Sequence, residues 1–218
     1  MRKIAVVSGK GGTGKTVVAA SFAALPGSKV MVDCDVDAAD LHLLLHPEVK
    51  ERHEFWGGSI AVIDRGLCRQ CGKCSAVCRF KALKSGPRVE RFFCEGCGLC
   101  ARLCPSGAIR MEETLSGEWF VSDTRRGPFV HARLGVAQGN SGRLVAQIRR
   151  AAERIAAEEK LQYVVIDGPP GIGCPVIASL SGVDCALVVT EPSLSGLHDA
   201  RRVIDDIGVK DGCLLSRR

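Results

Sequence analysis

Gly9-Lys-Gly-Gly-Thr-Gly-Lys-Thr16 decides the reading of the fold. It fits G-x-x-x-x-G-K-[ST], a pattern that cradles phosphate only where a strand precedes it and a helix follows. Both flanks qualify. Residues 3–8, KIAVVS, form a short apolar run with β-branched residues, as a buried parallel strand does, and residues 17–25 carry no helix breaker before Pro26. In such a loop Gly9, Gly11, Gly12, Thr13 and Gly14 offer backbone N–H groups to the phosphates at a helix N-terminus. Lys15 adds a point charge, and the Thr16 hydroxyl can ligate Mg²⁺. The competing reading, a glycine-rich turn without a ligand, does not explain the lysine and threonine that close the pattern.

Two further strands end in carboxylates. Residues 29–32 run into Asp33-Cys-Asp-Val-Asp37, and residues 163–166 run into Asp167-Gly-Pro-Pro-Gly171. Carboxylates at the C-terminal ends of parallel strands lie beside the phosphate loop, where they can orient Mg²⁺ waters or an attacking water. Asp33 is expected to hold its strand end and the metal's outer shell, while Asp37 and Asp40 read as turn and helix-cap residues. Residues 119–123 and 128–134 read as short strands around a turn. Residues 142–160 read as an amphipathic helix capped by Asn140 or Ser141, residues 186–190 as a strand, and 195–207 as a helix.

Between these segments lies a different chemistry. Cys68-Arg-Gln-Cys-Gly-Lys-Cys-Ser-Ala-Val-Cys78 and Cys94-Glu-Gly-Cys-Gly-Leu-Cys-Ala-Arg-Leu-Cys104 share one spacing at an offset of 26 residues. Gly72 pairs with Gly98, Ala82 with Ala108 and Leu83 with Ile109, so this is an internal repeat. Zinc is the plainer alternative, but tetrahedral zinc uses separated Cys pairs and leaves a third close cysteine idle. Cys34, Cys174, Cys185 and Cys213 stand outside the repeat and read as small buried or incidental residues.

Two resemblances follow from these residues. GKGGTGKT, with its extra Lys10, resembles the deviant phosphate loop of the MinD/ParA/Mrp superfamily of ATPases, and DGPPG resembles that superfamily's Walker B and switch II segment. The likeness implies an α/β P-loop fold, a parallel sheet with flanking helices, that binds ATP and Mg²⁺. It also implies catalytic roles for Lys10, Lys15 and Asp35. Lys10 would reach the nucleotide of a facing subunit in a homodimer or a dimer of related subunits across ATP. Asp35 would orient the attacking water, Asp167 would join Thr16 in binding Mg²⁺, and Gly168 or Gly171 would present an N–H to the γ-phosphate.

The repeat, C-x₂-C-x₂-C-x₃-C, has the spacing of two-cluster bacterial ferredoxins, in which the fourth cysteine of each run serves the other cluster. That resemblance implies two [4Fe-4S] clusters, one on Cys68, Cys71, Cys74 and Cys104, the other on Cys78, Cys94, Cys97 and Cys100. The first run ends Cys78-Arg79, where the second ends Cys104-Pro105 as the pattern does, which alters loop stiffness but removes no ligand. Ile60, Val62, Phe92, Phe93 and Ile109 are expected to shield the clusters.

The organisation that results is a P-loop domain in two parts, residues 1–59 and 115–218, with an inserted α+β ferredoxin module at 60–114. The last residues reach an end where the superfamily continues, so the chain reads as C-terminally shortened with an apolar sheet edge left open. The formal charge of +6 does not point to nucleic acid, because residues 60–114 hold ten Lys/Arg against five Asp/Glu and so set their excess beside the cysteines. No apolar run approaches a membrane span and no signal peptide is visible, so a cytoplasmic protein without membrane insertion is expected. Together these readings describe an ATPase coupling nucleotide state to electron transfer with a redox protein partner. An iron–sulfur carrier or assembly scaffold is one alternative, and a ferredoxin-like electron carrier with a vestigial ATPase domain is another.

Overall fold

The computed structural model describes residues 1–84, 86–135, 139, 141–207 and 212–216, with backbone alone at 206–207 and 212–216. The chain divides into two compact units. One comprises residues 1–54, 118–134 and 141–218; the other comprises residues 55–117 and 135–140.

In the first unit Arg2–Ser8 (β1) leads through the phosphate loop to Lys15–Ala24 (α1), then Lys29–Asp33 (β2) and the short Leu41–Leu45 (α2). Glu48–Ile63 (β3) carries the chain into the second unit, whose elements are Lys73–Val77 (α3), Leu83–Lys84 (β4), Arg88–Val89 (β5), a 3₁₀ turn Arg91–Phe93 and Leu99–Leu103 (α4). Ile109–Thr124 (β6) returns it. Gly127–Leu134 (β7), Ser141–Glu158 (α5), Tyr163–Pro170 (β8), Cys174–Leu180 (α6), Cys185–Thr190 (β9), Leu194–Ile207 (α7) and Gly212–Ser216 (β10) follow. None of the helices among the described residues is long and apolar enough to cross a membrane.

The main sheet has the order β10-β9-β1-β8-β2-β7-β6-β3. The pairs β1–β8, β1–β9, β2–β8, β2–β7 and β9–β10 are all parallel. Because β1 lies between β8 and β9, the loop leaving its C-terminal end opens at the point where the strand order reverses, the usual place for a ligand in such sheets. Alternation along the strands fills both faces. Met31, Phe129 and Val165 pack with Ala23 of α1, and Val6, Leu187 and Val189 pack with Ala19. The intervening Val30, Val32, Val130, Val164 and Ile166 are equally buried, and α5, with Leu144, Val145 and Ile148 inaccessible, packs on β2, β7 and β8. Lys29 is buried beneath α1, its ammonium donating to the carbonyl oxygens of Ala23 and Leu25 at that helix's C-terminal end.

Several expectations are corrected. β6 is 16 residues long instead of a short strand at 119–123, and lies between β7 and β3 in the sheet. β8 continues through Asp167 to Pro170. Beyond β9 the sheet gains β10, aligned Gly212↔Ala186 to Ser216↔Thr190, which forms its edge. Asn140, the expected helix cap, lies outside the described residues.

The second unit repeats itself in backbone as well as in sequence. Gly72 and Gly98 both take left-handed conformations, φ 72° and 71°, immediately before α3 and α4. Two further left-handed positions also coincide at the same offset, Gln70 with Gly96 and Lys81 with Gly107. Ala61, Leu83, Cys100 and Ile109 form this unit's small core, with Cys74, Cys78, Cys94 and Cys104 packed against it.

Candidate functional site

The phosphate loop is shaped by two left-handed glycines, Gly12 and Gly14, at φ 79° and 87°. Gly9 has no room for a side chain, since a Cβ there would lie 2.6 Å from the backbone of Asp199 on α7. Gly168 is as confined: a Cβ would stand 2.7 Å from Val7 and 3.1 Å from the Val6 carbonyl oxygen. Such close backbone approach is a reason for glycine independent of any ligand. The Gly171 N–H donates to the Ser8 carbonyl at 2.9 Å, tying the end of β8 to the start of the loop.

Lys15 heads α1 from a buried position, with its ammonium 2.7 Å from Asp167 Oδ1, 3.8 Å from Asp35 Oδ2 and 3.4 Å from Thr16 Oγ1. Parallel pairing sets Asp33 beside Asp167 in the β2–β8 register. The structure therefore brings Lys15, Thr16, Asp33, Asp35 and Asp167 together at the strand ends. Asp33 accepts from the backbone N–H groups of Asp35 and Leu41, each at 3.1 Å, and so holds the turn after β2. Burial, reinforced by Asp167, pushes its carboxyl up to about 8. Burial also raises the carboxyls of Asp167 and Asp35, with Lys15 pulling both back down. The Oδ2 atom of Asp167 and the hydroxyl of Thr13 are buried without hydrogen-bond partners among the described residues. Orphaned polar atoms of this kind call for a partner, and hydrated Mg²⁺ and a phosphate oxygen fit them.

Lys10 is bound within its own chain. Its ammonium donates to Glu191 at the end of β9, and Ser193 Oγ donates to the same Glu191 Oε1 at 2.9 Å. These hydrogen bonds, Lys10's first, hold the Glu191 carboxyl below its ordinary value. Glu191 is the residue that motif reading missed. Its signal was topological, since the strand flanking β1 on the other side also ends beside the loop.

In the second unit the cysteines group around two cavities. Cys68, Cys71, Cys74 and Cys104 line one of about 150 Å³. Cys78, Cys94, Cys97 and Cys100 line the other, a tighter space of about 20 Å³. Each cavity thus takes three thiols from one run and the last thiol of the other. Among the described residues no three His, Cys, Asp or Glu converge closely enough to hold a single metal ion. The thiols ring a space instead of meeting at a point. Cys104 Sγ accepts from the Ala108 N–H at 3.3 Å and lies 3.6 Å from Ser106 Oγ, while Cys94 Sγ accepts from the Ala61 N–H at 3.5 Å. Burial raises the Cys74 and Cys100 thiols, and the Ser106 hydroxyl lowers that of Cys104.

Ile60 and Ile109 are buried as expected of shielding residues, but Phe92 and Phe93 are 84% and 58% exposed, because the 3₁₀ turn that carries them faces outward. Of the remaining cysteines Cys34 is buried, Cys185 half-buried and Cys174 exposed, while the Cys213 side chain lies outside the described residues.

A mostly parallel sheet with a glycine-rich loop at its switch point, a buried lysine and strand-end aspartates defines a P-loop nucleotide-binding protein. The chain belongs to the CobQ/CobB/MinD/ParA nucleotide binding domain family, whose model matches residues 4–208. It is 39% identical over 211 residues to an uncharacterized protein of Methanocaldococcus jannaschii, covering 94% of this chain and 73% of that one. It is 25% identical over 207 residues to the septum site-determining protein MinD of Bacillus subtilis, covering 92% of this chain but 57% of MinD. In fold it is similar to a chain of the MinC:MinD cell division protein complex of Aquifex aeolicus, with a TM-score of 0.52 at 17% identity, covering 100% of this chain and 69% of that one.

Proposed function

We propose that the protein is a Mg²⁺-dependent ATPase whose second unit is a ferredoxin-like module holding two [4Fe-4S] clusters, and that nucleotide state governs electron transfer to a redox protein partner. The observation that carries the iron–sulfur half is the sorting of the eight repeat cysteines into two cavities, each with the three-plus-one composition that two-cluster ferredoxins use. When bound, such clusters supply one-electron storage and transfer.

At the nucleotide site Lys15 and the loop amides hold the β- and γ-phosphates, and Thr16 with Asp167 holds Mg²⁺ through its hydroxyl and through water. Asp35, at the mouth of the pocket, positions the attacking water. Gly171, free to adopt φ 92°, directs the end of β8 toward the γ-phosphate. Lys10, once released from Glu191, crosses to the nucleotide of a second copy, which makes a dimer across ATP the working form. The chain passes between the two units within β3, within β6 and on either side of residues 135–140, the covalent routes for coupling. The reading places the protein in the cytoplasm, where thiols stay reduced.

Anaerobic purification with iron and sulfide analysis, followed by visible and electron paramagnetic resonance spectra with and without Mg-ATP, tests both halves. Eight irons and a nucleotide-dependent spectrum or potential are expected. Zinc in place of iron would end the cluster reading, and spectra and potentials indifferent to nucleotide would end the coupling. A second reading, cluster carriage, draws on the exposure of Cys71 and Cys97, one thiol in each cavity. It predicts net iron transfer to an apo-acceptor, where electron transfer predicts retention.

A further inference from the structure

The two cysteine cavities are not equivalent, and three independent features separate them in the same direction. The first is charge. Arg69, Lys73 and Lys84 line the cavity of Cys68, Cys71, Cys74 and Cys104, whereas the cavity of Cys78, Cys94, Cys97 and Cys100 has no basic residue in its lining and carries Glu95. Lys84 is partly offset by Glu90 at 3.2 Å, but Arg69 and Lys73 have no carboxylate partner among the described residues. Arg79 follows Cys78 in the chain and is exposed, as Arg69, Lys73 and Lys84 are, but it does not line that cavity.

The second feature is hydrogen bonding to sulfur. Cys104 in the basic cavity has both the Ala108 N–H and the Ser106 hydroxyl close to its Sγ, against a single longer N–H contact at Cys94. The third is size and wall. The second cavity is the smaller, and its walls include Met111 and the part-exposed Phe80 and Leu99, with its Cys100 7% exposed. A [4Fe-4S] core with four thiolates goes from a charge of about −2 to about −3 on reduction. Nearby cations and sulfur hydrogen bonds favour the more negative state, while an apolar wall and a carboxylate oppose it.

Resting on the cluster reading proposed above, we propose that the two sites have unequal reduction potentials, with the Cys68/Cys71/Cys74/Cys104 site the higher. With clusters bound, the first electron from an external one-electron donor would rest on the basic site, whose core would go from 2+ to 1+ as the donor is oxidised by one electron. A second electron, from a stronger donor, would be needed to take the core of the apolar site from 2+ to 1+.

The test is a potentiometric titration of the anaerobically reconstituted full chain, monitored by electron paramagnetic resonance, with iron counted first. Two resolved one-electron steps are expected, with the one-electron form exceeding the roughly half occupancy that two equal, independent sites allow. Lys73→Gln and, separately, Arg69→Gln should move the upper step to more negative potential and leave the lower step in place. Glu95→Gln should raise the lower step, and Arg79→Gln should move either step less than Lys73→Gln does. Coincident steps, or a Lys73→Gln shift confined to the lower step, would overturn the assignment while leaving the cluster reading intact. A chain without iron would overturn both.

Discussion

Lys15 Nζ lies 2.7 Å from Asp167 Oδ1, and the two side chains are 6% and 1% exposed. One ammonium therefore offsets part of the charge of a pocket that also contains Asp33 and Asp35. Its removal strands buried carboxylates, which costs far more than losing a surface ion pair. Lys15→Ala is expected to lower stability by about 3 kcal/mol and to abolish ATP binding, whereas Asp167→Asn removes one of the repelling carboxylates and should cost clearly less. Denaturant melts with parallel nucleotide titrations measure both. An unchanged nucleotide affinity in Lys15→Ala would instead favour the vestigial-ATPase reading.

Glu191 holds Lys10 by a partly exposed, solvent-screened ion pair, a weak kind of tie. Freeing the lysine is therefore easily offset by a new phosphate contact. Glu191→Gln is expected to strengthen dimerisation in Mg-ATP by up to roughly fivefold, and Lys10→Ala to prevent it while monomeric nucleotide binding persists. Sedimentation with and without nucleotide checks this. Equal dimerisation in all three proteins would remove the trans role of Lys10.

The cavity linings pair Cys104 with Cys68, Cys71 and Cys74, although it follows them by at least thirty residues. Cys104→Ala and Cys71→Ala should perturb the same spectroscopic signal, and Cys78→Ala the other. If Cys104→Ala instead damages the signal altered by Cys97→Ala, the clusters follow the runs and the exchange of fourth ligands is wrong.

His131 is stacked between Phe120 and Phe129, with ring centroids 4.9 and 4.7 Å away. Burial, with smaller contributions from His42 and Arg133, lowers its pKa from 6.5 to about 4. Between those values the unfolded chain binds more protons than the folded one, so this residue's contribution to stability declines as pH falls from about 6.5 toward 4. Asp33, with a raised pKa, works in the opposite sense from its unfolded value of 3.8 up to about 8, its contribution declining as pH rises. His131→Phe isolates the histidine. The gap between variant and wild-type stability should shift in the variant's favour from pH 7 to pH 4.5 in urea melts, and a gap independent of pH would contradict the assignment.

Gln70 and Lys81 occupy left-handed backbone at φ 50° and 54°, where the second copy of the repeat has Gly96 and Gly107. A side chain there costs about 1–2 kcal/mol, partly balanced by the greater unfolded freedom of glycine. Lys81→Gly and Gln70→Gly should each stabilise the protein by about 0.5–1 kcal/mol. Thermal melts showing destabilisation would mean that these side chains make contacts worth more than the strain.

Much of this protein is legible along the chain because its decisive signals are local. A phosphate loop must run strand, glycines, lysine, helix within one short segment, and repeated cysteine spacing is visible without any knowledge of folding. Gly72 and Gly98, aligned by eye in the sequence, have nearly the same backbone angles. Other properties depend on partners distant in sequence. The full length of β6, the pairing of β9 by β10, the outward turn of Phe92 and the capture of Lys10 by Glu191 are settled by strand register and packing. The unequal surroundings of the two thiol cavities arise the same way: identical spacing sets which cysteines are near one another, but only folding decides which charges and apolar walls are brought around each set.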